Sequence, residues 1–159
     1  MDFDLINIGI ADLAVSKSPN ILRTILGSCV GICIYDPAVK VGGLAHIMLP
    51  TCKKSSNNLK KYADSAIPLL INEMIKLGCD QTRMIVKLAG GANMFKHSDN
   101  FLVGEIGQNN INRVREVFSD LKISIVSEDV GGDYGRTIDF YLDTGALKIK
   151  AMGKETKNI

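Results

Sequence analysis

Leu26-Gly27-Ser28-Cys29-Val30-Gly31-Ile32-Cys33-Ile34-Tyr35-Asp36-Pro37-Ala38-Val39-Lys40-Val41-Gly42-Gly43-Leu44-Ala45-His46 reads as two strands joined by a turn. Cys29 to Tyr35 and Val41 to Leu49 are apolar at both odd and even positions, the pattern of strands in a sheet covered on both faces. Asp36-Pro37 starts the turn, because Asp is favoured at the first turn position and Pro fixes φ at the second. With Asp36 to Val39 as the turn residues, Cys29 lies directly opposite His46, Cβ atoms roughly 4.5–5.5 Å apart. A loop two residues longer puts Gly31 opposite His46 and leaves Cys29 diagonal to it. In either register a thiol and an imidazole share one face of one sheet.

Outward from this hairpin, Leu5 to Ile10, Ile21 to Leu26, Met84 to Leu88, Ile123 to Ser127, Thr137 to Leu142 and Leu147 to Ala151 also read as strands. Leu59, Ala63, Ala66, Leu70, Met74 and Leu77 recur at spacings of three and four, one helical face that ends at Gly78. Pro68 is expected to kink that helix. Ile111, Val114, Val117, Phe118 and Leu121 mark a second helix over about Gln108 to Lys122. A strand-rich order with two or three inserted helices predicts a mixed-sheet α+β fold, not a regularly alternating doubly wound one.

With 159 residues, 46% of them hydrophobic, the chain has the core of one soluble domain and needs no disulfide or metal staple. Residues 1–152 are read as that single domain and 153–159 as a frayed polar tail. Thr51 to Asn58 is a surface loop. The net charge of +2, with lysines scattered apart from Lys53-Lys54 and Lys60-Lys61, points away from nucleic acid and membrane binding. Met1-Asp2-Phe3-Asp4 has no basic n-region, and no apolar run approaches the roughly 18 residues that span a bilayer. The expected location is therefore the cytoplasm, with Cys29, Cys33, Cys52 and Cys79 as reduced thiols.

Cysteine becomes a nucleophile as thiolate, and an adjacent imidazole lowers its pKa and later supplies a proton to the leaving group. Cys29 and His46 are the pair placed for this chemistry. The bland alternative is a core histidine bonded to a backbone carbonyl beside a cysteine that packs as a small hydrophobe, which is the reading taken for Cys33, Cys52 and Cys79. Cys29, Cys33, His46 and Cys52 also form a superficial zinc set. Residues four apart on one strand, however, are separated by about 13 Å, whereas two thiolates sharing zinc must sit within about 4 Å. No metal or other cofactor is expected. Gly27 and Ser28 leave the backbone before Cys29 uncrowded for an oxyanion. Two glycine-rich stretches, Ala89-Gly90-Gly91-Ala92-Asn93-Met94-Phe95 and Val130-Gly131-Gly132-Asp133-Tyr134-Gly135-Arg136-Thr137, follow strands and match neither a Walker loop nor a dinucleotide fingerprint. They are tight turns or the lining of a cleft beside Cys29, with Ser28, Asn93 and Arg136 as candidate substrate contacts.

Leu26-Gly27-Ser28-Cys29-Val30, Gly42-Gly43-Leu44-Ala45-His46-Ile47-Met48-Leu49-Pro50, Lys61-Tyr62-Ala63-Asp64, the Ala89 to Phe95 run, Ile106-Gly107 with Asn109, and Glu128-Asp129-Val130-Gly131-Gly132 with Gly135-Arg136 together resemble the CheD family of chemoreceptor glutamine deamidases. The ordered match runs over about Leu5 to Lys150. The resemblance implies a cysteine hydrolase that converts selected glutamines on chemoreceptor cytoplasmic helices to glutamates, some members also hydrolysing glutamyl methyl esters. It implies Cys29 as nucleophile, His46 as general acid and base, and Thr24 as the third catalytic residue. It also implies a layered sandwich of mixed β-sheets with flanking helices, like that of deamidating bacterial toxins. Family members bind CheC-type phosphatases as well, and the alternative from a different class is a module that mainly binds and regulates such a phosphatase.

Overall fold

The computed structural model describes residues 2–94 and 105–159. Among the described residues the strands are β1 (Leu5–Asn7), β2 (Leu13–Lys17), β3 (Ile21–Leu26), β4 (Val30–Asp36), β5 (Val41–Ile47), β6 (Ile85–Gly90), β7 (Ser124–Val130), β8 (Arg136–Tyr141), β9 (Leu147–Lys150) and β10 (Lys157–Asn158), and the α-helices are α1 (Ala63–Lys76) and α2 (Ile106–Leu121). They build two five-stranded sheets, ordered β1-β3-β8-β9-β10 and β2-β5-β4-β6-β7. Each sheet is mixed, with one parallel pair, β1 with β3 and β6 with β7, among antiparallel ones.

Alternation along β4 and β5 feeds two separate apolar layers. Val30, Ile32, Ile34, Ala45 and Ile47 pack under α1 and α2, while Cys33, Tyr35 and Leu44 meet Leu22, Leu26, Ile138 and Phe140 of the other sheet. All seven residues of each strand are consequently buried, the double-sided covering that their sequence predicts. Gly42 and Gly43 let both layers close in. A Cβ on Gly42 would stand 2.5 Å from Leu142, and one on Gly43 would stand 2.6 Å from Leu70 of α1. The order is helices, sheet, sheet: an α+β layered sandwich. The outer face of the β1-β3-β8-β9-β10 sheet is open, with Ile25 71% exposed.

Several expectations change in detail. The hairpin pairs Asp36 with Val41 and Gly31 with His46, so the longer loop is the correct one, and Cys29 lies in the bend before β4, outside the ladder and not opposite His46. Asp36 explains this: its carboxylate accepts from Ala38 N, Asp80 N and the Arg83 guanidinium, while Lys40 turns the corner at φ 52°. The first strand ends at Asn7, and a strand missed in the sequence, β2, pairs with β5 along the edge. Gly78, at φ 96°, follows α1 as the expected stop, and α1 continues through exposed Pro68. The tail is paired, not frayed: Lys157 and Asn158 lie against Ile149 and Lys148, and the Lys87 ammonium donates to Ile159 O at 2.8 Å. No helix among the described residues is long and apolar enough to cross a membrane.

Candidate active site

β3 and β5 belong to different sheets, and their inward faces bring Thr24 to His46. Thr24 Oγ1 stands 2.7 Å from His46 Nδ1, with the two residues only 3% and 2% exposed. The same hydroxyl donates to Ile8 O at 2.7 Å. A hydroxyl has a single hydrogen, and a carbonyl only accepts, so Oγ1 must accept from Nδ1–H. That assigns the tautomer: the lone pair is on Nε2, which is buried and has no hydrogen-bond partner among the described residues. Burial also pushes the imidazole pKa down, which keeps it neutral near pH 7.

Cys29 sits in the bend just before β4 and packs against the inter-sheet layer. Gly31, directly across from His46, has no side chain to intervene, and a Cβ there would stand 2.8 Å from Ile138. The thiol is partly exposed. Burial pushes its pKa up, with its own backbone N–H acting the other way. Both shifts, in direction, favour the neutral forms of the two groups. A neutral imidazole with a free Nε2 lone pair can accept a proton.

The backbone at Cys29 is held by the first glycine turn. Gly91 N donates to Cys29 O at 2.8 Å, and Ala92 N to Gly27 O at 3.0 Å. Gly90 has φ 102°, and a Cβ on it would lie 2.4 Å from Cys29 O, so only glycine permits this approach. Gly131 N donates to Gly90 O at 2.9 Å, and Asn93 N to Gly132 O at 2.8 Å. The two glycine stretches thus meet, and with the start of α2 they line a polar hollow of about 440 Å³ that includes Gly91, Asn93, Asn109 and Gly132. Phe95, the last residue of the first stretch, lies outside the described residues. A second hollow, about 410 Å³, is lined by Ile8, Ile10, Arg23, Thr24, Ile25 and His46 among others.

Arg136 does not have the place expected of a substrate contact. It is 2% exposed, and its guanidinium donates to Asp129 Oδ2 (3.0 Å), Gly131 O (3.0 Å), Gly90 O (3.5 Å) and Tyr134 Oη (3.2 Å). These bonds stitch the two glycine turns together. Ser28 is half-buried, and its carbonyl accepts from Asn110 Nδ2. Cys33 and Cys79 are buried thiols whose pKa values burial raises, Cys79 to about 11, which suits packing and not catalysis. Cys52 lies on the surface loop, its thiol donating to Lys53 O. No group of three His, Cys, Asp or Glu side chains able to hold a metal occurs among the described residues.

Two participants escaped sequence reasoning. The Ile8 carbonyl left no sequence signal, since any residue supplies one. Asn110 did leave one, a polar residue in the buried stripe with Ile111, Val114 and Val117.

Residues 48–151 match the family model described as CheD chemotactic sensory transduction. The probable chemoreceptor glutamine deamidase CheD of Caldanaerobacter subterraneus subsp. tengcongensis is 50% identical over 162 residues, covering 100% of both chains. The protein of the same name from Desulfitobacterium hafniense strain DCB-2 is 46% identical over 98% of this chain and 99% of its own. Among solved structures, the crystal structure of Neisseria meningitidis protein NMB0706, of family model DUF152, has a TM-score of 0.50 at 10% identity. That likeness spans 82% of this chain and 64% of the other and concerns the fold alone.

Proposed function

This chain belongs to the CheD family, and on that premise we propose that it is a chemoreceptor glutamine deamidase in which Cys29 is the nucleophile, His46 the general base and acid, and Thr24 the group that fixes the imidazole. The observation that carries this reading is the Ile8 O, Thr24 Oγ1, His46 Nδ1 chain, which leaves a buried Nε2 lone pair with no hydrogen-bond partner among the described residues.

The reaction follows from these positions. Nε2 takes the thiol proton as Sγ adds to the glutamine side-chain carbonyl carbon, and the carbonyl oxygen gains the charge. Backbone N–H groups at the Gly27-Ser28-Cys29 bend are the proposed oxyanion donors. The imidazolium, bonded to Thr24 Oγ1, then protonates the departing nitrogen, ammonia leaves and a thioester remains. Water loses a proton to Nε2 and attacks the thioester. The tetrahedral adduct expels the Cys29 thiolate, which regains its proton, and glutamate is formed. A glutamyl methyl ester attacked in the same way gives the same thioester, with methanol in place of ammonia. No cofactor enters either sequence.

A glutamine on a folded helix projects into solvent and reaches a cleft without unwinding, so cytoplasmic receptor helices are the proposed substrate. Ser28 and Asn93 are the proposed contacts to it, and Arg136 holds the turns behind them. Residues 1–152 form the proposed catalytic domain, with β10 closing its outer sheet. Cytoplasmic location and association with a CheC-type phosphatase belong to the same proposal. The test is mass spectrometry of a receptor cytoplasmic domain incubated with the protein. The expected result is a gain of about 1 Da per modified glutamine with the wild type and none with Cys29→Ser. An unchanged receptor, or full activity in Cys29→Ser, refutes the assignment.

A further inference from the structure

Asn110, in the second turn of α2, has no accessible surface. Burying a carboxamide costs free energy unless its polar atoms are hydrogen-bonded; Nδ2 donates twice, to Ser28 O at 3.2 Å and to Met48 O at 2.9 Å, while Oδ1 has no hydrogen-bond partner among the described residues. Both partners only accept, which settles the orientation of the amide. Ser28 immediately precedes Cys29, and Met48 is two residues beyond His46.

This join lies where the sheet stops holding the pair. The ladder between β4 and β5 ends at Val30 with Ile47, so no strand pairing ties Cys29 to the segment beyond His46. α2 is braced on the other side of the same bend. A Cβ on Gly107 would stand 2.5 Å from Gly91 O and 2.6 Å from Ala92 O, and it is Gly91 and Ala92 whose N–H groups hold Cys29 O and Gly27 O.

We infer that Asn110 is a positioning residue for the Cys29 and His46 pair, supplying from a helix the cross-link that the ladder lacks at that point. The inference rests on the catalytic reading of that pair. An asparagine that only tethered α2 to the sheet would, when lost, lower stability and leave the chemistry of the folded protein intact. A positioning residue changes the relation between thiol and imidazole.

Alkylation of Cys29 by iodoacetamide near neutral pH measures that relation without any receptor. The wild type and His46→Ala are compared first. A rate that does not depend on His46 refutes the pairing itself, a failure read before Asn110 is changed. The same comparison is then made in the Asn110→Ala and Asn110→Leu backgrounds, the second keeping nearly the original volume. The expected result is loss of the His46 dependence, together with a kcat on the receptor domain lower by roughly 10- to 100-fold at a KM within about two-fold. A folded variant that keeps the wild-type His46 dependence and kcat overturns the inference. If neither variant folds, the wild type decides: the Asn110 side-chain amide protons should be protected from exchange and shift in the NMR spectrum when Cys29 is alkylated. Unprotected or unmoved protons overturn it equally.

Discussion

Replacing Thr24 by Val exchanges one hydroxyl for one methyl at nearly constant volume, and the hydroxyl has two partners. It donates to Ile8 O and accepts from His46 Nδ1–H, both at 2.7 Å. In the ground state the substitution strands a carbonyl and an N–H in a buried place, at about 1–3 kcal/mol each. The buried methyl returns about 1 kcal/mol. A net destabilisation of about 1–5 kcal/mol is expected against a total of about 5–15 kcal/mol for a domain, so rates must be taken per folded molecule. In the transition state the bond from the imidazolium is charge-assisted and contributes about 1.5–3 kcal/mol. The neutral bond lost with it contributes about 0.5–1.5 kcal/mol in the ground state, so the difference of about 1–1.5 kcal/mol, at about 1.4 kcal/mol per decade, lowers kcat roughly 5- to 12-fold. The assay follows receptor mass against time at saturating receptor, with denaturant melts on the same samples and Thr24→Ser as the variant that keeps the hydroxyl and recovers most of the rate. A folded Thr24→Val protein within about two-fold of wild-type kcat would refute the tautomer argument.

Because burial raises the Cys29 thiol and lowers His46, alkylation of Cys29 should accelerate with pH through an inflection above the ordinary thiol value of about 8.5. The acid limb of kcat/KM should lie below about 6.5, the ordinary imidazole value. An alkylation plateau between about pH 5 and 7, the signature of a thiolate paired with an imidazolium, would overturn the neutral-pair assignment. Gly90→Ala forces a Cβ to 2.4 Å from Cys29 O at φ 102°. It should cost about 1–3 kcal/mol in a urea melt and reduce deamidation as well, and an unchanged melt would contradict the close approach. Burial pushes the Asp129 carboxyl up, but Lys157 and Arg136 outweigh it and hold it below the ordinary range. Its contribution is therefore present above about pH 4 and fades as pH falls through the lower folded value. Asp129→Asn should cost about 2–4 kcal/mol at pH 7 by leaving Arg136 without its carboxylate, and should flatten the acid side of the stability curve. Equal acid slopes for wild type and variant would count against this.

The sequence by itself determined what depends on neighbours along the chain. Continuous apolar runs made the buried pair β4 and β5 legible, and the strand period of two led to the expectation of Cys29 and His46 on one face in either register. The 3.6-residue period located α1 and α2, and β3 was read to its ends at Ile21 and Leu26. Short edge strands escaped because β2 and β10 bury too little to impose a pattern. Tertiary structure decided the rest. The hairpin register turned on Asp36 reaching Asp80 and Arg83, more than forty positions away. The site turned on one sheet lying over another, so that Thr24 and the Ile8 carbonyl set the histidine tautomer. Arg136 went to a structural post because Asp129 and two glycine carbonyls surrounded it, and Asn110 found carbonyls from two distant segments. Periodicity is encoded locally, but a hydrogen bond needs two groups within about 3 Å, and between remote segments only the packed fold brings them there.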